Sequence, residues 1–288
     1  FSTKLFSGYS RSVAARNQEG PQTIARDVNE NSLGVSVQPG GGRLTLSAGY
    51  SLGLDAYEDP DFAYNNRLTH TIGLNGSWKA FPKTALTLSI NQGFIDYYST
   101  SSPGAYLNNT SRPFRAEAGL SGLVTPLFAL VAKLGYGNSF HNDGPQYNSI
   151  LATVQGTLAL RPFAKVVLSF DHGFQDSIYG NYYTDEHVSL RYDHVIFNRV
   201  VTFLDASYRY RRYAGLPAVY GTETVSEWVN HLLSLNIAVD YRIYNWLFVG
   251  IGYDFQLRLV PNPLTIENLT GTNEYVKHDI YAKVGISY

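Results

Sequence analysis

Apolar and polar residues alternate at every second position through most of this chain. The last segment, 276–288, shows the pattern most clearly, because all its even-numbered positions except one histidine are apolar or aromatic. A period of two predicts β-strands with one apolar and one polar face. No stretch shows the 3.6-residue period of an amphipathic helix, and no apolar run reaches the roughly 18 residues that a membrane-spanning helix needs. The chain is therefore predicted to be all-β.

The alternation predicts fourteen strands, most of them about 12–15 residues long. Strands in globular proteins are commonly about 5–6 residues long, whereas a strand that crosses a bilayer needs roughly 9–11. The first two predicted strands alternate poorly and comprise roughly the first 14 residues and 33–37, so twelve or sixteen strands remain an alternative. The other twelve are 44–54, 68–78, 86–94, 114–124, 128–136, 150–160, 166–174, 188–196, 200–210, 233–241, 247–259 and 276–288.

The connections between these strands alternate strictly between long and short. The long, polar ones are about 16–26, 58–65, 99–112, 141–146, 180–184, 214–227 and 260–274. The short ones are 39–42, 80–83, 125–127, 161–164, 197–199 and 243–245. This alternation predicts an up-and-down antiparallel meander with all short turns at one end, here called the turn end, and all long loops at the other, the loop end. Both chain termini then lie at the turn end.

A bilayer explains the strand length and the two faces better than water does. An open soluble sheet of fourteen strands would be unusual, whereas in lipid a sheet must close so that no edge amide remains unpaired. Lys283 lies on the polar face near the middle of its strand, and it would cost roughly 2–4 kcal/mol in hydrocarbon. The sequence therefore predicts one domain, 1–288, that is a closed transmembrane β-barrel, apolar outside and polar inside, with its first strand paired to its last.

Composition excludes several other classes. The net charge of −1 gives no reason to expect a nucleic-acid partner, and the absence of Cys excludes disulfide scaffolds and thiolate metal sites. The absence of Met leads us to expect that the chain begins after a removed leader. Aromatic residues cluster near strand ends and predict two interfacial girdles. The loop-end girdle would comprise Tyr57, Tyr64, Tyr97, Tyr98, Tyr136, Tyr147, Tyr179, Tyr210, Tyr213, Trp228 and Tyr275.

The final strand resembles the C-terminal signature of Gram-negative outer-membrane β-barrels of the porin type. The signature residues are Ile280, Val284, Ile286 and the terminal aromatic Tyr288. The resemblance implies an outer-membrane location, short periplasmic turns and longer extracellular loops. It also implies lipid and the barrel-insertion machinery as partners, with other envelope proteins as a further option. The Tyr-rich strands 204–213 and 253–259 resemble β-barrel porins associated with exopolysaccharide systems. Related fourteen-stranded transporters of hydrophobic substrates carry a plug segment, which we do not find here.

The polar phase supplies the predicted pore lining, a wall of mixed charge. Turn positions predict that Arg191 lies opposite Asp205 and that Lys133 lies one diagonal step from Glu117. Such pairs either line a wet channel or only brace its wall, and both interpretations stay open. Besides Asp55, the lining residues are Lys79, Arg115, Glu117, Lys133, Asp171, Arg191, Asp193, Asp205, Arg209, Arg211, Asp240, Arg242, Asp254, Arg258, Lys277, Asp279 and Lys283.

The sequence offers no catalytic, cofactor or metal site. Acidic groups at 58–61 and 185–187 match no calcium motif and are interpreted as solvated loop residues. We predict a channel for small hydrophilic solutes or a saccharide, with the loops 99–112, 214–227 and 260–274 able to narrow its mouth. The alternative is a non-conducting anchor or subunit of an envelope complex, and an enzyme is a distant third. Five outward histidines suit the headgroup zone better than catalysis: His70, His172, His194, His231 and His278.

Overall fold

The computed structural model describes residues 2–12, 19, 25–39, 42–98, 110–161, 163–215, 228–261 and 274–286. Within these residues one antiparallel sheet contains fourteen strands, and each strand pairs with its neighbours along the chain. The strands are β1 (Ser2–Ser12), β2 (Arg26–Val37), β3 (Leu44–Tyr57), β4 (Arg67–Phe81), β5 (Thr84–Tyr97), β6 (Phe114–Thr125), β7 (Phe128–Asn138), β8 (Asn148–Arg161), β9 (Ala164–Asp176), β10 (Tyr182–Ile196), β11 (Val200–Ala214), β12 (Trp228–Tyr244), β13 (Leu247–Leu259) and β14 (Tyr275–Ile286).

These elements confirm the fourteen predicted strands and their meander order. A 3₁₀ helix, Pro60–Asn65, lies in the connection between β3 and β4, and no described helix has the length and apolarity to cross a membrane. The main difference is at the loop end, where β2, β10 and β12 begin five to seven residues before the apolar alternation starts. Cross-strand pairing continues there because the preceding strand of each hairpin reaches equally far, although the side chains no longer alternate.

The turn between β10 and β11 shows how a short connection sets the register. Phe197 and Asn198 both have positive φ, 50° and 57°, and the amide of Arg199 donates to the carbonyl of Ile196 at 3.1 Å. Two left-handed residues make a tight turn whose twist matches that of the flanking strands. Pairing then continues without interruption and places Arg191 opposite Asp205, as the sequence predicted.

The two faces of the sheet separate apolar from polar side chains. On β14 the outer residues Ile280 and Val284 are 77% and 72% exposed. Lys283 points to the opposite, inner face, where its Nζ lies 2.9 Å from Oδ1 of Asp240 on β12. Gly250 on β13 pairs with both residues and leaves the space between them open. A bulkier residue there would come between the two charges.

The inner face is concave, because side chains from distant strands meet across it. Arg67 on β4 forms an ion pair with Asp176 on β9. Arg115 on β6 donates from Nη2 to the carbonyl of Phe174, also on β9, at 2.7 Å. The polar face therefore lines a concave interior, here called the lumen, and the sequence had predicted that the polar face is the inner one.

The predicted pairing of the first strand with the last is not present between the described residues of β1 and β14, so the sheet is open at this seam. Every other strand pair is joined by a turn or loop that holds the two strands in register, whereas these two strands share no connection. At the seam, Leu5 and Phe6 of β1 are 83% and 56% exposed, one on each face of the strand.

Candidate pore and its loop-end mouth

The register of the sheet places the predicted pore-lining residues on one face. The row Asp240, Gly250 and Lys283 runs across three strands, and Asp254 pairs with Asp279 in a neighbouring row. Lys79 and Arg242 lie near the turn end, where their side chains are exposed. The turn end of this face therefore carries charges that are accessible to water.

Several charges on this face have a close partner of opposite sign. Asp185 accepts hydrogen bonds from Arg209 at 2.6 Å and from Arg211 at 3.4 Å. Two further ion pairs are Lys277 with Asp279 at 2.6 Å and Lys165 with Asp193 at 3.6 Å. Asp171 and Asp254 instead contact polar side chains, those of His187 at 3.7 Å and Asn236.

The side chains of Arg191 and Asp205 do not contact each other, although the register places the two residues opposite one another. Arg191 lies opposite Asp205, but its guanidinium donates to Asp193 on its own strand at 3.0–3.1 Å. It also lies 4.5 Å from the ring centroid of Phe203, which pairs with Asp193. A same-face neighbour two residues along a strand is within reach of a long side chain, and the ring adds a cation–π contact. The pair of Arg191 with Asp193 thus replaces the expected cross-strand pair.

Lys133 and Glu117 lie one diagonal step apart, as predicted. They line a polar cavity of about 220 Å³ together with hydroxyl and amide side chains of β3, β4 and β5. Glycines at 119 and 135 stand directly opposite these two charges and give them room. This part of the lumen wall is polar and roomy enough for water.

At the loop end the lumen is filled by packed side chains, which we call the mouth cluster. Its largest member, Trp228, is 1% exposed and lies 4.3 Å from the ring centroid of Tyr213 and 5.1 Å from that of Tyr179. The cluster joins residues of β3 and the 3₁₀ helix to residues of β10, β11 and β12, of the connection before β10, and of the position after β13. Its members are Tyr57, Phe62, Ile178, Tyr179, Tyr183, Tyr213, Trp228 and Val260.

The mouth cluster corrects part of the predicted loop-end girdle. Tyr98 and Tyr136 are 51% and 43% exposed, as an interfacial residue would be. In contrast, six predicted girdle residues are buried: Tyr57, Tyr64, Tyr147, Tyr179, Tyr213 and Trp228. The sequence did contain a signal for this burial, namely the phase of the alternation. Tyr57, Tyr213 and Trp228 are each two residues from an inward polar residue, and these residues are Asp55, Arg211 and Asn230.

Glu19, from the connection between β1 and β2, is fully buried against the mouth cluster. Its carboxylate accepts hydrogen bonds from the hydroxyl of Ser177 at 2.6 Å and the amide of Ile178 at 3.0 Å. Its carbonyl accepts from Tyr179 Oη at 3.2 Å and Arg258 Nη1 at 2.5 Å. Burial raises the pKa of Tyr179, so this phenol remains a neutral donor. A buried carboxylate needs such donors to offset its lost hydration.

Arg67 links opposite walls just inside the mouth. It forms ion pairs with Asp176 on β9 and with Asp55 on β3, the latter at 2.8 Å. Asp55 also accepts from Arg26 on β2 at 2.7 Å. The Arg67 and Asp176 side chains are only 12% and 17% exposed. This chain of charges connects β2, β3, β4 and β9 and fastens the walls together.

A second cavity, of about 150 Å³, lies beside Arg67 and is lined by β4, β5, β6, β9 and the segment that contains His141. Nδ1 of His141 lies 2.8 Å from the hydroxyl of Ser139, and burial lowers the pKa of His141. Arg115 also lines this cavity, and its guanidinium lies 4.2 Å from the ring centroid of Phe174. The cavity thus combines cationic, hydroxyl and aromatic groups.

The outward histidines make hydrogen bonds on the outer surface. His70, His231 and His278 each lie 2.7–2.8 Å, through Nδ1, from a tyrosine hydroxyl on the preceding strand. His194 makes the same contact with Tyr192 at 2.9 Å, and His172 lies 3.7 Å from Glu186. The described residues contain no group of three potential metal-binding side chains.

Some predictions lie outside the described residues. Tyr288 of the insertion signature is one, whereas Ile280, Val284 and Ile286 are on the outer face of β14. Most of the three loops expected to narrow the mouth also lie outside, at 99–109, 216–227 and 262–273. The described part of the mouth is instead closed by the 3₁₀ helix, Glu19 and the segment 177–181.

A fourteen-stranded antiparallel meander, apolar outside and charged within, is a fold found in bacterial outer-membrane β-barrel proteins, and the chain has this fold. Solved structures of the class superpose on it. They include the FrpB iron transporter from Neisseria meningitidis (F3-3 variant), with a TM-score of 0.56, 9% identity and 90% of this chain covered.

Two further solved structures also superpose on the chain. The siderophore receptor PirA from Acinetobacter baumannii has a TM-score of 0.51, 12% identity and 91% coverage of this chain. The alcaligin outer-membrane receptor FauA from Bordetella pertussis has a TM-score of 0.51, 12% identity and 97% coverage of this chain. The chain spans about half the length of these three proteins, covering 49%, 55% and 53% of them. At such identities the likeness concerns the fold alone. No protein-family model and no curated protein sequence matches the chain.

Proposed function

We infer that the chain forms an outer-membrane channel for small hydrophilic solutes, and that the mouth cluster controls access from the loop end. The observation that carries this proposal is the inner face, which presents charged and hydroxyl side chains from the turn end up to the mouth. Ion pairs and small polar residues on this scale require hydration, because charges enclosed without water are costly. A lumen that contains water for most of its length suits passage of solutes.

Passage through this lumen requires the mouth cluster to move. The cluster joins elements on opposite walls, and Arg67 fastens β4 to β9 beside it. Weakening this link should therefore favour an open state. Truncating one partner of a well-buried ion pair costs about 3–5 kcal/mol, so a partly buried pair should cost less than that.

The test is single-channel recording of purified protein in planar bilayers. We expect rare openings in the wild type and a higher open probability in Arg67→Met. The matched control is Arg191→Met, because Arg191 binds Asp193 on its own strand and forms no ion pair with another strand among the described residues. Equal open probability in the two variants would contradict control by the mouth.

One observation favours the alternative of a non-conducting barrel, namely the packing of the mouth itself. In that case the protein is an envelope anchor or a subunit of a larger complex, and the mouth cluster is a permanent seal. Silence of both the wild type and Arg67→Met, with circular dichroism showing intact strands, would establish this alternative and exclude the channel.

A further inference from the structure

We propose that the cavity beside Arg115 binds a polyhydroxylated carboxylate, of the kind that a uronic acid sugar represents, with Arg115 as the residue that holds the carboxylate. This deepens the proposed function by naming a class of solute, and it rests on that function only for the role of the bound molecule. The binding itself is a separate property of the cavity.

Arg115 differs from three other arginines at the loop end of the lumen. Arg67, Arg209 and Arg211 each form an ion pair with an aspartate. No carboxylate of the described residues lies within 4.0 Å of Arg115, whose hydrogen bond is to the carbonyl of Phe174 at 2.7 Å. A guanidinium has five N–H donors and suits a carboxylate in a two-pronged arrangement. A cation in this setting offers a place for an anion.

Aromatic rings hold the guanidinium of Arg115 in position. It lies over one side of the Phe174 ring, and Tyr147 stacks on the same ring with a centroid distance of 4.3 Å and an interplanar angle of 21°. Phe174 is 3% exposed and Tyr147 is also 3% exposed. Such packing fixes the donor before a ligand arrives, which lowers the entropy cost of binding.

The remaining lining indicates that the ligand carries hydroxyl groups. Around Arg115 the cavity presents neutral donors and acceptors from Thr69, Thr71, Asn91, Ser111 and Ser139. Its one carboxylate, Asp176, is engaged by Arg67. At the roughly 30 Å³ that a water molecule takes in the liquid, a volume of about 150 Å³ holds about five waters, so the cavity has room for one small sugar unit at most. A guanidinium that forms no ion pair with a described residue, set among hydroxyl and amide groups, fits a sugar with one negative charge.

The experiment is isothermal titration calorimetry of the purified full chain in detergent, with glucuronate and glucose as probes. These two sugars are of similar size and differ in the carboxylate. We expect glucuronate to bind at least about tenfold more tightly than glucose, because hydrogen bonds to charged groups are the stronger ones. Equal affinity for the two sugars, or no binding of either, would overturn the proposal.

Three variants assign the effect to Arg115. Arg115→Gln should reduce the preference for glucuronate over glucose to about one, and Arg115→Lys should retain part of it, because charge remains without the two-pronged arrangement. Lys133→Gln is the matched control, since Lys133 is an inner-face cation that lines the other cavity. A merely structural Arg115 would leave the preference unchanged in folded Arg115→Gln, and that result would refute the assignment. If Arg115→Gln does not fold, Arg115→Lys serves as the test instead. An undiminished preference for glucuronate in Arg115→Lys would also refute the assignment.

The calorimetric result is independent of conduction. Preferential glucuronate binding by a protein that is silent in bilayers would support this site and refute the channel. A conducting protein that does not distinguish the two sugars would support the channel and refute this site.

Discussion

Leu74 provides a direct test of which face of the sheet contacts lipid. It is the middle residue of β4, is 52% exposed on the outer face, and pairs with Ala48 and Ile90. About 23 Å of strand extends to either side of it at about 3.3 Å per residue, or about 18 Å along the membrane normal at a tilt of about 40°. An apolar band about 25 Å tall therefore has Leu74 near its middle.

Leu74→Lys should lower the free energy of unfolding from the bilayer by about 2–4 kcal/mol. The measurement is equilibrium unfolding in guanidinium chloride from phospholipid vesicles. The matched control is Asn75→Lys, one residue along and on the inner face, which should cost no more than about 1 kcal/mol for its lost hydrogen bond with Ser89. Equal costs for the two lysines, or a larger cost at Asn75, would refute the assignment of the faces.

Three further predictions concern packing, pH and fluorescence. Gly250→Ala should lower stability by about 1–3 kcal/mol, because its methyl group would enter the ion pair beside it, whereas Gly53→Ala, with its nearest atom at 3.8 Å, should be tolerated in the same denaturation assay. Because burial lowers the pKa of His141, the unfolded chain takes up this proton before the folded chain does as the pH falls below about 6.5, and the folded state loses stability. The melting temperature should therefore fall less between pH 7.5 and pH 5.5 in His141→Gln than in the wild type. Brominated lipids should quench the fluorescence of Trp78 and Trp246, which are 52% and 50% exposed, but not that of the buried Trp228; strong quenching of Trp228 would contradict the packed mouth.

The strands and their order were predictable because alternation is a local property of the sequence. The polarity of each side chain in a strand indicates which face of the sheet it lies on. The position of a turn then sets which residues lie opposite each other, such as Arg191 and Asp205. The loop-end extensions were not predictable in this way. Beyond the apolar band neither face needs to be apolar, so the residues that begin β10 and β12 lack alternation although they remain paired.

The mouth was not predictable from local patterns, because its contacts join residues far apart in the chain. Trp228 and Tyr213 have the composition of a lipid-facing girdle, and only their phase relative to the inward charges places them inside. The bond between Arg115 and Phe174 likewise depends on how far the sheet curves. Curvature results from the whole sheet, and no single segment encodes it.

The distance along the chain between the parts of the mouth cluster has a consequence for biogenesis. Tyr57 belongs to β3 and Trp228 to β12, so they meet only after the intervening wall has formed and curved. Contacts of such long range form late in folding. A partly assembled molecule would therefore lack the packed mouth, and the loop end of the lumen would close only with the event that completes the tertiary structure.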